Sequence, residues 1–247
     1  MVHNYQAIVE YDGTKFVGWQ YQKNGLSIQE ILEKKLRKLF NEKIKVLGAG
    51  RTDAGVHALG QSANFLIDKK IKNTKIFLNS INFFLNKYSI SIIKVKKRKL
   101  DFHSRFNAKE RIYEYRIKNR YSLLALDKNR NWLVKKEMDI NLLRKGAKIL
   151  KGKHDFSTFR SSSCSAKSPI KKMNGVKVVK RGQDIIIQFR SQSFLQNQVR
   201  SMVGCLKYLA CKKWSLKKFK MVFKSKKRKL CAPPAPAHGL YLTKVIY

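Results

Sequence analysis

Acidic residues are scarce in this chain. Only 15 Asp+Glu stand against 55 Lys+Arg among 247 residues, a formal net charge of +40. The shortage leaves no carboxylate cluster of the kind a metal-dependent nuclease needs. Cysteine is also rare. Cys164, Cys205, Cys211 and Cys231 form no Cys-x-x-Cys pair, and the histidines show no zinc spacing, which excludes the common zinc modules. Four scattered cysteines in a chain of this length are expected to be reduced, mostly buried thiols in a cytoplasmic protein that holds no metal. Long apolar runs are missing as well. None reaches the roughly 18 residues of a membrane-spanning helix, and Met1-Val2-His3-Asn4-Tyr5 lacks the apolar stretch of a signal peptide. The expectation is a cytoplasmic protein with no membrane attachment.

The chain is nevertheless 43% hydrophobic, with 14 Phe and 10 Tyr. That is enough to build cores, so the charge is not that of a disordered tail. A strongly cationic folded protein calls for an anionic partner, and nucleic acid leads, because neutralising phosphates releases counterions. A lysine-favouring genome would account for part of the excess.

The hydrophobic pattern predicts an α+β protein. Tyr5 to Tyr11 alternates as a strand. Ser27 and Glu30 form a capping-box arrangement ahead of Ile28, Ile31, Leu32, Leu36, Leu39 and Phe40 at helical spacing. Strands are expected at Lys43–Leu47, Ser62–Ile67 and Ser89–Val95, and a helix at Thr74–Leu85. This is the β-α-β-β-α-β order of the ferredoxin-like plan. The second half predicts a strand at Glu110–Lys118 and a helix at Asp139–Leu150 capped by Asp139. A hairpin follows from Gly175–Lys180 and Asp184–Arg190, then a helix at Ser193–Ala210 and a closing strand at Leu240–Tyr247. The reading is two similar halves with mainly antiparallel sheets flanking a central basic cleft. The domains would be residues 1–99 and 100–247, joined at Lys96-Lys97-Arg98-Lys99. A second basic run spans Lys224 to Lys229. Either run is a solvated face or a track for an RNA backbone.

One string concentrates the chemistry: Gly48-Ala49-Gly50-Arg51-Thr52-Asp53-Ala54-Gly55-Val56-His57-Ala58-Leu59-Gly60-Gln61. Gly and Ala let a loop lie close to a bulky ligand. Arg51 and Asp53, two apart, point to one side of an extended stretch. A group that seeks polyanions thus stands beside a potential nucleophile or base. Arg and Asp alone would suit a surface ion pair; four glycines, an ion pair and a histidine together exceed what a plain turn requires.

This string, with others in order, resembles the bacterial tRNA pseudouridine synthase A family. The others are Tyr11-Asp12-Gly13-Thr14-Lys15-Phe16-Val17-Gly18-Trp19-Gln20, Phe102-His103-Ser104-Arg105-Phe106, Arg111-Ile112-Tyr113-Glu114-Tyr115, His154-Asp155-Phe156-Ser157, Phe194-Leu195, Val199-Arg200 and Ala235-Pro236-Ala237-His238-Gly239-Leu240-Tyr241-Leu242. The resemblance covers nearly the whole chain. It implies isomerisation of uridine to pseudouridine at positions 38, 39 and 40 of the tRNA anticodon stem-loop, by a homodimer. The reaction breaks the N1–C1′ bond, turns the base and rejoins it through C5. It involves no net redox change and calls for no metal or cofactor.

The resemblance makes Asp53 the catalytic carboxylate. Attack on C1′, addition to the base and removal of a sugar proton all stay open, and only the first two give a covalent intermediate. It places Tyr113 against the target base, where it stacks and could accept the C5 proton. A tyrosine has an ordinary pKa of about 10 and would need tuning to act as a base. Read without the family, Tyr113 is a strand aromatic in a packed core, and Tyr115 shares its face. A paired uridine must first leave the stack, which costs a few kcal/mol; Arg51 holds the family's flipping position. Arg200, on a stripe with Gln196 and Gly204, holds the position of the arginine that pairs with the catalytic carboxylate and keeps it ionised. Leu240 would pack on the flipped uracil. Phe102, His103, Ser104, Arg105 and Phe106 match the RNA-contacting segment, suited to stacking and phosphate contact. Ser163, Cys164, Ser165, Ala166 and Lys167 match a second RNA-binding loop. His57, His154 and His238 are expected to be structural. Gln196-Asn197-Gln198 departs from the family's usual aromatic or histidine and methionine before the Val-Arg pair, and Ala232-Pro233-Pro234-Ala235-Pro236 is unusually proline-rich. A non-catalytic RNA-binding protein on the same scaffold is the competing reading.

Overall fold

The computed structural model describes all 247 residues. The chain is α+β, with mostly antiparallel strand pairing, and divides into two compact units, residues 1–109 with 242–247 and residues 110–241.

In the first unit the elements are β1 (His3–Tyr11), α1 (Ile28–Phe40), β2 (Val46–Gly48), β3 (His57–Ile67), α2 (Thr74–Leu85) and β4 (Ile90–Arg98). The sheet order is β4-β1-β3, with β2 on β3, and every one of these pairs is antiparallel. Register pairs Ala7 with Ala63 and with Val95, so one face of β1 stays buried against both neighbours. Ser27 caps α1 as its spacing predicts: its Oγ accepts from Glu30 N at 3.2 Å. The reciprocal half of the box is not made, because the Glu30 carboxylate takes Lys34 Nζ at 2.6 Å. Ile28, Ile31, Leu32 and Leu36 are buried, and Asn41 in the left-handed region ends the helix. The α2 boundaries match the sequence reading; Asn73 Oδ1 caps it through Lys75 N and Ile76 N. The basic run expected as the joint is largely strand, since Lys96, Lys97 and Arg98 end β4.

In the second unit the elements are β5 (Glu110–Asn119), β6 (Trp132–Val134), α3 (Ile140–Leu150), β7 (Gly152–Asp155), β8 (Ile170–Arg181), β9 (Asp184–Ser191), α4 (Gln198–Ala210) and α5 (Leu216–Lys224). The sheet order is β5-β9-β8-β7, antiparallel throughout, and the short β6 joins β5 in parallel. Gly182, at φ 56°, turns the β8–β9 hairpin at the expected place. The α3 helix packs on β8, α4 and α5. Phe156, Phe159 and Phe223 cluster with ring centroids 5.4–6.2 Å apart. The last strand, β10 (Leu240–Ile246), starts in this unit, and its residues from Leu242 onward belong to the first.

Two helices depart from the sequence reading. The late helix starts at Gln198, not Ser193. Asn197 takes a left-handed φ of 60°, and Gln198 Oε1 accepts from Leu195 N at 2.8 Å, which closes a turn where helix was expected. Helix α5 was hidden by lysine. Phe219, Val222 and Phe223 form its buried stripe, and Ser215 Oγ caps it through Lys218 N.

Candidate active site

The loop carrying Asp53 rests on a shelf built by the chain's opening motif. Gly13, Gly18 and Trp19 follow β1 and run beneath it. Trp19 N donates to Thr52 O at 3.0 Å, Gly55 N to Phe16 O at 3.3 Å, and Gly18 bridges Asp53 in antiparallel fashion. Gly18 has φ +120°, and a Cβ there would sit 2.5 Å from Thr52 O; only glycine can occupy it without strain. A Cβ on Gly13 would run into the Val56 carbonyl. The Tyr11 hydroxyl lies 2.8 Å from Thr52 Oγ1. Thr52 is buried, while Arg51 is exposed and Asp53 half-exposed. That alternation is the extended geometry the two-residue spacing requires, with Arg51 and Asp53 turned away from the packed side.

His57 is buried, with Nδ1 3.0 Å from Gly13 N and 3.2 Å from Asp12 Oδ1. The ring nitrogen accepts from Gly13 when unprotonated and pairs with Asp12 when protonated. In either state it binds the opening motif to the start of β3, a structural part. Gln61 Nε2 donates to Gly50 O at 2.6 Å and Ala49 N to Ser62 O at 2.7 Å, so the arm leading into Asp53 is fastened to β3.

The segment 102–106 is anchored by side chains that the sequence reading did not single out. Asn4 Nδ2 donates to the carbonyls of Lys99, Leu100 and Phe102, and Asn64 Oδ1 accepts from Ser104 N at 2.9 Å. Ser104 is buried and donates its hydroxyl to Leu47 O, so it serves as the anchor. Phe102 lies under the Arg98 guanidinium at 4.6 Å and beside Tyr247. His103 and Phe106 rings are 4.3 Å apart, and Arg105 extends over Phe106, which is 74% exposed. Arg105 and Phe106 are the members offered outward. The two asparagines meet diagonally across neighbouring strands, Asn64 Nδ2 donating to Asn4 Oδ1 at 3.2 Å, while register sets Asn4 opposite Leu66 and Asn64 opposite Gln6.

In the second unit, Tyr113 is buried in β5, opposite Phe189, with its ring edge-on to Phe194 at 5.1 Å. Tyr115 is fully buried; its hydroxyl donates to Pro236 O at 2.7 Å, and Gly239 leaves room for its ring. Burial pushes the Tyr115 phenol far above its usual value, with the Arg200 charge pulling the other way. Tyr115 is therefore held as a neutral phenol that donates to the Pro236 carbonyl.

Arg200 is held on two sides. Its Nε donates to Ala235 O at 2.7 Å and its Nη1 to Asn197 Oδ1 at 3.1 Å, while Ala235 N returns a bond to Arg200 O. The proline-rich stretch is thus a strap across α4. It crosses at Gly204, where a Cβ would run into the Pro233 carbonyl. This gives Arg200 and Gly204 a shared role on α4, while Gln196 falls before the helix and off the expected stripe; the departures have local roles too. Asn197 positions Arg200, Gln198 closes the preceding turn, and Gln196 Oε1 accepts from Ser163 Oγ at 3.3 Å. Leu240 is buried at the start of β10. In the 163–167 loop, Ser163, Ser165 and Lys167 are exposed, Ala166 is half-buried and Cys164 is buried. Arg160 Nη2 binds the carbonyls of Cys164 and Ala166 and shapes this loop. Burial works to raise the Cys164 thiol, but backbone N–H groups of Ala166 and Gln196, with Arg160, bring it below its usual value.

No group of three or more His, Cys, Asp or Glu lies close enough to hold a metal ion, and no helix is long and apolar enough to cross a membrane. The loop framed by Gly13 and Gly18 thus carries an exposed arginine and a half-exposed carboxylate within a strongly cationic α+β chain. The sequence model of the tRNA pseudouridine synthase family matches residues 7–107 and 147–247, and the chain belongs to that family. It is similar to the tRNA pseudouridine synthase A of Pelagibacter ubique (strain HTCC1062), 58% identical over 243 residues, covering 98% of this chain and 99% of that one. It is also similar to those of Ehrlichia canis (strain Jake), 43% identical over 98% of this chain and 99% of that one, and Parvibaculum lavamentivorans, 41% identical over 98% of each.

Proposed function

We propose that this chain is an isomerase that converts uridine to pseudouridine at positions 38, 39 and 40 of the tRNA anticodon stem-loop. The carrying observation is a 58% identical relative named tRNA pseudouridine synthase A, matched over 98% of this chain. The framed Asp53 loop gives that match its chemistry.

In this reading Asp53 supplies the one negative charge at the sugar–base junction. The N1–C1′ bond breaks, the uracil turns, C5 bonds to C1′, and the C5 proton leaves for solvent while N1 gains one. Atoms and electrons balance without a co-reactant. Arg51, exposed beside Asp53, enters the space vacated by the base and contacts phosphate. Tyr113 stacks on the base, Leu240 packs against it, and Arg200 keeps the carboxylate ionised. Phe102, His103, Ser104, Arg105 and Phe106, with Ser163, Cys164, Ser165, Ala166 and Lys167, form the tRNA-binding segments. Within them the exposed Arg105, Phe106 and Lys167 make the direct contacts.

The proposal includes two ferredoxin-like halves flanking a basic cleft, supported by the β4-β1-β3 order with β2 on β3 in the first unit. It includes a cytoplasmic homodimer that grips one tRNA across both subunits. Mapping pseudouridine in a tRNA carrying uridine at positions 38, 39 and 40 tests the function. Modification confined to those positions supports it; none anywhere, or modification elsewhere, refutes it.

A further inference from the structure

Two of the four cysteines face one another. Cys205, fully buried on α4, has its Sγ 3.4 Å from the Sγ of Cys231, which is partly exposed at the start of the strap. Arg228 Nη1 lies 3.4 Å from the Cys231 sulfur and is itself fixed by a 2.7 Å bond to Ser201 Oγ. Ala232 N points at the Cys205 sulfur at 3.4 Å. The next residues along the chain are Pro233, whose carbonyl abuts Gly204, and Ala235, whose carbonyl holds Arg200. The pair therefore sits at the root of the strap.

We propose that Cys205 and Cys231 form a peroxide-oxidisable dithiol whose closure shifts the strap that positions Arg200. The accessible member reacts first. The Cys231 sulfur attacks one oxygen of a hydroperoxide, the O–O bond breaks, and the other oxygen leaves as water or an alcohol, giving a sulfenic acid. The Cys205 sulfur then attacks the Cys231 sulfur and expels water, giving the disulfide. Two thiols lose two electrons in all, and the peroxide takes them. Two features favour this order. The hydrogen bond from Cys205 and the Arg228 guanidinium hold the Cys231 thiol below its usual value, against burial. Donating that hydrogen to Cys231, together with burial, holds Cys205 above its own. The nucleophilic thiolate thus forms where an oxidant can reach it. Closing 3.4 Å to the roughly 2.05 Å of a disulfide brings the two sulfurs more than an ångström closer, through side-chain rotation together with movement of the strap against the helix. A shift of that size at a positioning group can cost about 100-fold in rate.

The consequence at Arg200 rests on the proposed isomerase reading; the dithiol chemistry does not. The test treats the folded full chain with hydrogen peroxide, blocks remaining thiols with N-ethylmaleimide, and maps unreduced peptides by mass spectrometry. tRNA turnover is followed before and after dithiothreitol. The expected result is a Cys205–Cys231 cross-link before any loss at Cys164 or Cys211. At least a tenfold fall in turnover should accompany it, reversed by dithiothreitol and absent in Cys231→Ser. Failure of the cross-link, with both cysteines still alkylated, overturns the dithiol. A cross-link with unaltered turnover overturns its coupling to Arg200. If the untreated chain shows no turnover, the isomerase reading fails, and the cross-link still decides the dithiol.

Discussion

The hydroxyls of Tyr11 and Thr52 lie 2.8 Å apart, which ties the residue before Asp53 to the end of the first strand. Tyr11→Phe keeps the ring beside Trp19, its centroid 6.0 Å away, and removes that tie. Leaving a buried hydroxyl short of its partner costs about 1–3 kcal/mol. The expected outcome is a modest fall in thermal midpoint and a fall in kcat of about tenfold with KM for tRNA little changed. Steady-state kinetics with calorimetry checks this; a KM effect alone would place Tyr11 in binding.

Gly18→Ala tests the shelf directly. The added methyl meets the Thr52 carbonyl at a φ of +120°, and strain of this kind costs about 1–3 kcal/mol. Loss of tRNA turnover should exceed the loss of folded protein. Chemical denaturation read beside activity separates the two.

Gly204→Ala pushes the strap off α4 at the Pro233 carbonyl, an overpacking worth about 1–3 kcal/mol. Because Ala235 O holds Arg200 Nε, the variant should mimic Arg200→Lys in its kinetic profile. A variant that is merely less stable, with normal kcat, would disconnect strap from site.

Glu110 opens β5, three residues before Tyr113. Burial works to raise its carboxyl, but Asn174 and the Arg190 fork, at 2.7 and 2.9 Å, bring it below the usual value of 4.5. A carboxylate depressed in the folded state stabilises above its unfolded pKa, and that contribution is lost as pH falls through the folded value. Glu110→Gln should therefore be less stable than the parent at neutral pH. The gap should close on acidification below 4.5. Denaturation midpoints across the acid range measure it; a gap that widens in acid contradicts the assignment.

Much of this was legible in the sequence, for physical reasons. Local signals such as Ser27 at the start of α1, Asp139 at the start of α3 and Gly182 in the hairpin act within a few residues of chain, and the structure uses each of them. Non-local roles were not legible. Nothing local to Asn4 announces that it holds the carbonyls of Lys99, Leu100 and Phe102. The proline-rich stretch acts through carbonyls set on Gly204 and Arg200, some thirty residues earlier in the chain, which no local pattern announces. The late helix was read too long because Leu195 keeps helical spacing with Val199, while Asn197 breaks the backbone between them. Helix α5 was missed because its lysines outnumber its apolar stripe.

The central claim is that the Asp53 carboxylate does the chemistry, and tRNA labelled with tritium at uracil C5 tests it most directly. The parent should release tritium to water, and Asp53→Asn should bind the same tRNA with similar affinity and release none. Release by Asp53→Asn at the parent's rate, or tRNA binding without release by the parent, would contradict the account.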